Sequence, residues 1–304
     1  MTDILSASPT PDAVVADDQS AMTHSPTSLA MRRFWGNLGA RFSVFLLAIV
    51  ILVCLIGPFL LPYGPDEQNL LKSRAAPSAA HWFGTDLLGR DMFARLLAGG
   101  RVSLAVGFAT AFSALVVGTA IGIAAGRLGG VVDTVLMRIT DIFMAIPSIL
   151  VVIVAGGILG PSIPLLVGLI ASFSWPTSAR IARSVVLSVR ELDYVRAAEA
   201  AGTRPATIML RHLLPSVIPQ VTVAGALLVA SAILQEAALS YLGLGVVPPQ
   251  ASWGNLLQTA QSYTVISSMP WLWVTPGAAI VLTSLSVIFI GDGLRDALDP
   301  KATR

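Results

Sequence analysis

The run FSVFLLAIVILVCLIGPFLLP (residues 42–62) carries no charged side chain. As a helix rising 1.5 Å per residue it is about 30 Å long, the hydrocarbon thickness of a bilayer. Arg32, Arg33 and Arg41 stand directly before it. Five further apolar runs follow, at about 102–125, 139–159, 163–179, 221–242 and 272–290. The composition supports the same reading over the whole chain. Of 304 residues, 55% are hydrophobic and 12% charged, with a mean hydropathy of +0.77. Soluble domains carry about 25% charged residues, so most of this apolar surface must meet lipid. The expected fold class is all-α: a polytopic membrane protein with six transmembrane helices.

Residues 1–31 are rich in Ser, Thr, Pro, Ala and Asp, which cannot build a core, and read as a disordered tail without a cleaved signal. Residues 32–100 then hold the first span and an outer loop, and residues 101–304 a five-helix core with a polar loop at about 187–219. With the N-terminus inside, all but five of the 19 Lys and Arg residues fall on the cytoplasmic side. The exceptions, Lys72, Arg74, Arg90, Arg95 and Arg101, share their loop with Asp66, Glu67, Asp86 and Asp91. Both termini are therefore expected in the cytoplasm. In the second span Gly118, Gly122 and Gly126 recur every fourth residue, which marks a face for close helix packing.

Several chemistries are excluded. Net charge is +2, too small for a nucleic-acid surface. Cys54 is the single cysteine, and His24, His81 and His212 are too far apart to read as a metal site. The two lysines, Lys72 and Lys301, do not follow a glycine, so no Gly-Lys-Ser/Thr phosphate loop exists. Neither a Gly-x-Ser-x-Gly elbow nor a His-Glu-x-x-His pair occurs. If ATP drives this protein, another chain hydrolyses it. The turn Gly84-Thr-Asp-Leu-Leu-Gly-Arg-Asp91 lacks calcium-loop spacing and reads as a salt-bridged turn. Near the third span, Asp141 and Arg138 stand one turn apart and read as a local ion pair.

The segment 180–219 differs from the rest in being polar, Arg-rich and still helix-favouring. Residues 191–201 contain no Gly or Pro, and Gly202 follows as a C-cap. Thr203 reads as the N-cap of a second helix, with Pro205 in its first turn and Pro215 as its stop. Ala206, Met209, Leu210 and Leu213 form an apolar stripe on that helix, with Arg204, Thr207 and Arg211 opposite. Two short helices around a glycine suit docking to a groove in a partner. The alternative is a basic loop lying on anionic headgroups.

This loop resembles that of permease subunits of binding-protein-dependent ABC importers, whose pattern is Glu-Ala-Ala-x3-Gly-x9-Ile-x-Leu-Pro. The chain reads Arg196-Ala197-Ala198, three residues, Gly202, nine residues, then His212-Leu213-Leu214-Pro215. Arg196 replaces the acidic residue, and Glu199 lies in the x3 segment without filling that position. His212 replaces isoleucine. This version resembles the peptide and nickel branch. Residues 81–104, 129–148, 235–254 and 291–300 likewise resemble the C-type permease of dipeptide, oligopeptide and nickel systems.

The resemblance implies a type I importer permease fold in the cell membrane. It implies that Arg196, Ala197, Ala198, Glu199, Gly202, Arg204, Met209, Leu210, Leu213 and Pro215 couple the chain to an ATPase. The implied partners are a second homologous permease, two cytoplasmic ABC ATPase domains and an extracytoplasmic substrate-binding protein. ATP and magnesium belong to the ATPases, so no cofactor is expected in this chain. The implied cargo is a di- or oligopeptide, with a nickel or metal chelate as the alternative. An ion-coupled secondary carrier is disfavoured, because the central membrane region has no chain of acidic residues and no internal repeat. Glu236, near the outer end of the fifth span, is a candidate pathway residue able to meet a peptide amino group or a metal cation. It could equally anchor the outer loop.

Overall fold

In the computed structural model, residues 26–298 are described, and the expected tail lies outside them over residues 1–25. Its last part is nevertheless helical, because α1 (Pro26–Gly36) starts before residue 31. Among the described residues every regular element is a helix, apart from one isolated bridge between Thr85 and Asp91. After α1 come α2 (Leu38–Leu60), α3 (Met92–Leu128), α4 (Gly130–Ala145), α5 (Ser148–Leu159) and α6 (Ile163–Val189). Then follow α7 (Asp193–Ala200), α8 (Pro205–Ile208), a π turn (Met209–Leu213) and α9 (Leu214–Tyr241). The last elements are α10 (Trp253–Leu257), α11 (Tyr263–Ser268) and α12 (Trp271–Leu298).

Five of these stretches are long and apolar enough to cross a membrane unbroken, with Pro205–Tyr241 counted as one, and α4 with α5 makes a sixth if the bent pair is one span. The third expected span, 139–159, is thus corrected to a broken one, bent by 78° between α4 and α5. Pro147 supplies no backbone N–H and forces the preceding residue out of the helical region. Ile146 is accordingly extended, with φ −90° and ψ 127°.

α3 is the central post. At 37 residues it is roughly 55 Å long, more than a bilayer needs. It runs without interruption through positions 100–101, where the sequence reading ends the outer loop and begins the core. Its glycine face packs on α6: a β-carbon at Gly118 would strike the Trp175 carbonyl, one at Gly122 the Ala179 carbonyl, and one at Gly126 the Val186 side chain. On its other side α3 packs against α9 and α2, around Cys54, Leu104, Ile233, Trp253 and Val287.

Arg101 on α3 answers a defect in α2. Pro58 lies inside α2 and has no N–H to offer the Cys54 carbonyl one turn back. The Arg101 Nε–H donates to that carbonyl at 2.8 Å, a second guanidinium N–H donates to the Leu55 carbonyl at 2.5 Å, and the guanidinium stacks 4.7 Å from the Phe59 ring centre.

The turn at 84–91 is more buried than a surface turn. The Asp86 carboxylate accepts from the Leu88 and Arg90 backbone N–H groups and from Arg90 Nε at 2.6 Å. Asp91 caps α3 by accepting from the Ala94 N–H, and its other oxygen lies 2.8 Å from His81 Nδ1. Both carboxylates are used internally, and among the described residues no cluster suits a metal ion. Asp141 pairs with Arg180 on α6 at 2.6 Å rather than with Arg138.

Candidate functional site

At the end of the bundle where α3 and α6 terminate, α7 is mounted on the core by a single apolar anchor. Val195 is fully buried among Ile123, Val186, Ile208, Leu213 and Val217. Around that anchor charges fix the orientation. Glu199 pairs with Arg127 of α3 at 2.5 Å, and Arg190 donates to the Gly126 carbonyl at 2.8 Å. Arg196 and Arg190 both reach Glu191. The Arg196 guanidinium, with help from Arg190, holds the Glu191 carboxyl below its ordinary range, and Glu191 in turn raises Arg196. These groups lie at the surface, so the pairs set direction more than stability.

Gly202 ends α7 in a Schellman motif. The Thr203 N–H donates to the Ala198 carbonyl at 3.1 Å and the Gly202 N–H to the Glu199 carbonyl at 2.9 Å. Its φ is +75°, and a β-carbon there would meet nothing within 4 Å. Any difficulty at this position is therefore one of backbone conformation, not of space.

The second half of the loop departs from the sequence reading in three ways. Arg204, not Thr203, holds the N-cap position of α8. Pro215 does not stop the helix: the Leu214 N–H reaches back five residues to the Met209 carbonyl, and the chain passes through the widened turn into α9. Pro215 then sits in the first turn of α9, where its missing N–H matters least. The expected stripe is also divided, because Leu213 is wholly buried and Met209 half-buried while Ala206 and Leu210 are exposed. Exposed on α7 and the residues flanking it are Leu192 and Tyr194, each about half exposed, with Arg196, Ala197, Ala200 and Ala201. Ala198 is half-buried against the turn. The apolar pair at 192 and 194 escaped the sequence reading, although Leu and Tyr flanking an acidic first turn are its visible sign.

Glu236 is remote from this site, 23 residues beyond Leu213 and so roughly 35 Å along the helix. It is 0% exposed and accepts hydrogen bonds from Ser103 Oγ and Ser240 Oγ, both at 2.7 Å. As a pathway residue it would need a free face, and within this chain it has none.

Residues 118–304, which include the loop, the end of α3 and all of α6 and α9, match the family described as binding-protein-dependent transport system inner membrane component. The chain belongs to this family. Residues 25–77 match a second model, the N-terminal transmembrane domain of oligopeptide transport permease C. A dipeptide transport system permease protein DppC of Alkalihalophilus pseudofirmus is 39% identical over 293 residues, covering 96% of this chain and 95% of the relative. A protein of Brucella suis biovar 1, provisionally named a peptide permease, is 43% identical over 281 residues, covering 91% of this chain and 92% of its own. The permease is thus a multi-pass inner-membrane protein of a transport system and not a catalytic chain.

Proposed function

We propose that the permease imports peptides, forming half of a translocation pathway whose other half is a second, homologous permease. Two cytoplasmic ATPase domains would carry the ATP and magnesium, and an extracytoplasmic binding protein would deliver the cargo. Both termini and α7 would face the cytoplasm. The observation that carries the reading is the Schellman-capped α7, braced on the ends of α3 and α6 with an apolar and small-residue face left open. A rigid knob of this kind suits a groove in an ATPase. Closure of the ATPase pair would then swing the bundle as a rigid body between inward-open and outward-open states. The peptide and dipeptide names of the relatives support the choice of cargo.

The deciding experiment reconstitutes the permease with its partner chains in lipid nanodiscs and follows ATP hydrolysis. Peptide-loaded binding protein should stimulate hydrolysis several-fold, and nickel chelates should not. Stimulation by nickel chelates alone, or uptake without any ATPase chain, would overturn the reading.

Orientation is tested separately in a Cys54→Ala background. Ser262 and Ser188 are both exposed. An impermeant maleimide should label Ser262→Cys in intact cells and Ser188→Cys only after permeabilisation. Labelling of Ser188→Cys in intact cells would reverse the topology.

A further inference from the structure

The fully buried Glu236 carboxylate has no ion-pair partner among the described residues. Hydroxyl groups surround it instead. Ser103 of α3 donates to one oxygen and Ser240 of α9 to the other, and Ser252, the N-cap of α10, directly precedes Trp253. Each of these serines is itself 0% exposed. Each also accepts a backbone N–H from the segment that follows α9: Trp253 N to Ser103 Oγ at 3.1 Å, Val246 N to Ser240 Oγ at 2.9 Å, and Asn255 N to Ser252 Oγ at 3.2 Å.

The direction of these bonds is informative. A backbone N–H can only donate, so each serine oxygen is already an acceptor and its own proton is free to point at the carboxylate. Two relays therefore run from the Trp253 and Val246 N–H groups through the Ser103 and Ser240 hydroxyls into one side chain, and Ser252 caps α10 beside them. An acceptor-only group receives both protons as they stand, whereas an amide accepts one and at its nitrogen end forces the other serine proton to turn away. Glycines let the segment come this close. A β-carbon at Gly99 would approach the Ser252 backbone to 3.0 Å, and one at Gly254 would approach the Ala237 backbone to 2.6 Å.

We propose that Glu236 is a positioning residue for transport: with Ser103 and Ser240 it locks the segment 246–255 into the groove between α3 and α9, so that segment and helix pair move as one body. Ser103 ties the lock to α3, Glu236 and Ser240 tie it to α9, and the Trp253 and Val246 N–H groups tie it to the segment. Without the lock, motion of the two helices would no longer be delivered to the segment that closes their outer end.

Ala251, only 5% exposed, reports on the lock. The test places Ala251→Cys in a Cys54→Ala background of the complete nanodisc-reconstituted importer, where a maleimide reaches both faces. Glu236→Gln keeps the size of the side chain and removes an acceptor oxygen. Glu236→Asp keeps the carboxylate and loses a methylene. Thiol labelling should be about tenfold faster with Gln, and within about threefold of the parent with Asp, because labelling follows the population of locally open chains. Peptide delivered per ATP should fall roughly fivefold with Gln, within the range by which single residues alter coupling. Ser103→Ala, which deletes one relay, should move both readouts the same way by less, and it serves if the Gln variant is not recovered.

A pure packing role gives the reverse order, with Asp worse than Gln, and that order would overturn the proposal. So would parental labelling in both Glu236→Gln and Ser103→Ala, or an unchanged peptide-to-ATP ratio. The ratio rests on the importer reading, whereas the labelling does not, so failure of one is distinguishable from failure of the other.

Discussion

Gly202→Val should leave the permease inserted and folded but uncouple it from the ATPase domains proposed as its partners. The residue holds φ at +75°, where a β-branched side chain is strained by about 1–2 kcal/mol. No neighbour would be struck, so the strain is relieved only by giving up the Schellman bonds to Ala198 and Glu199. Once those are lost, the angle between α7 and α8 is no longer fixed, and Leu192 and Tyr194 no longer present a single face. Peptide-stimulated hydrolysis in the reconstituted complex should fall by about tenfold or more, the factor that ~1.4 kcal/mol of misplacement represents. Co-purification of the ATPase should weaken with it. Gly202→Asn is the control, because asparagine tolerates the left-handed region, and it should stay near the parental rate. Normal stimulation in the Val variant would mean that α7 is not the coupling element.

The largest effect on stability is expected at Gly122. A β-carbon there would lie against the Ala179 carbonyl and 2.7 Å from the Ala182 β-carbon, so Gly122→Leu must push α3 and α6 apart. Overpacking of this kind costs about 3 kcal/mol, occasionally more. The separation would also disturb the seat of Val195, which rests partly on Ile123 and Ala182. The detergent-solubilised variant should lose its monodisperse peak on size exclusion at a temperature on the order of 10 °C lower than the parent. Gly168→Leu, where a β-carbon meets nothing within 4 Å, should be nearly silent in the same assay. Equal behaviour of the two variants would refute the packing account.

Helix number and the short helices of the loop at 187–219 were largely legible in the sequence, because both rest on local signals. An uncharged run long enough for a bilayer needs no partner to be recognised. Nor does a glycine after a run of residues without Gly or Pro. Four-residue glycine spacing likewise pointed to a helix contact, which proved to be with α6. Phase was harder to read. The stripe Ala206–Met209–Leu210–Leu213 assumes an unbroken 3.6-residue period, and the π turn at Met209–Leu213 inserts one residue, which rotates the chain beyond it by about 100°. Leu213 consequently turns into the core. Pro215 read as a stop because the proline rule is local, whereas a widened turn can absorb it. Pro147, by the same rule, did break its helix, in a run that hydropathy alone had treated as continuous. Partners distant in sequence left no signal of their own: Ser103 and Glu236 are 133 positions apart, and nothing local to either names the other.

The Arg101 clamp on α2 bears on which parts of the bundle are stiff. To part α2 from α3 near Pro58 would bare the Cys54 carbonyl and a guanidinium to hydrocarbon, and an unsatisfied backbone group there costs several kcal/mol. Thermal agitation rarely supplies that, so α2 and α3 act as one beam. Beyond the Asp141–Arg180 pair on α4, the described residues show no such rivet at the elbow of α4–α5: the Pro147 break leaves α5 (Ser148–Leu159) resting on α6 through side chains such as Val152, Leu166 and Ile170. Apolar contacts slide at little cost where hydrogen bonds must break. Compliance in this molecule is therefore concentrated at the 78° elbow and not in the α2–α3 beam.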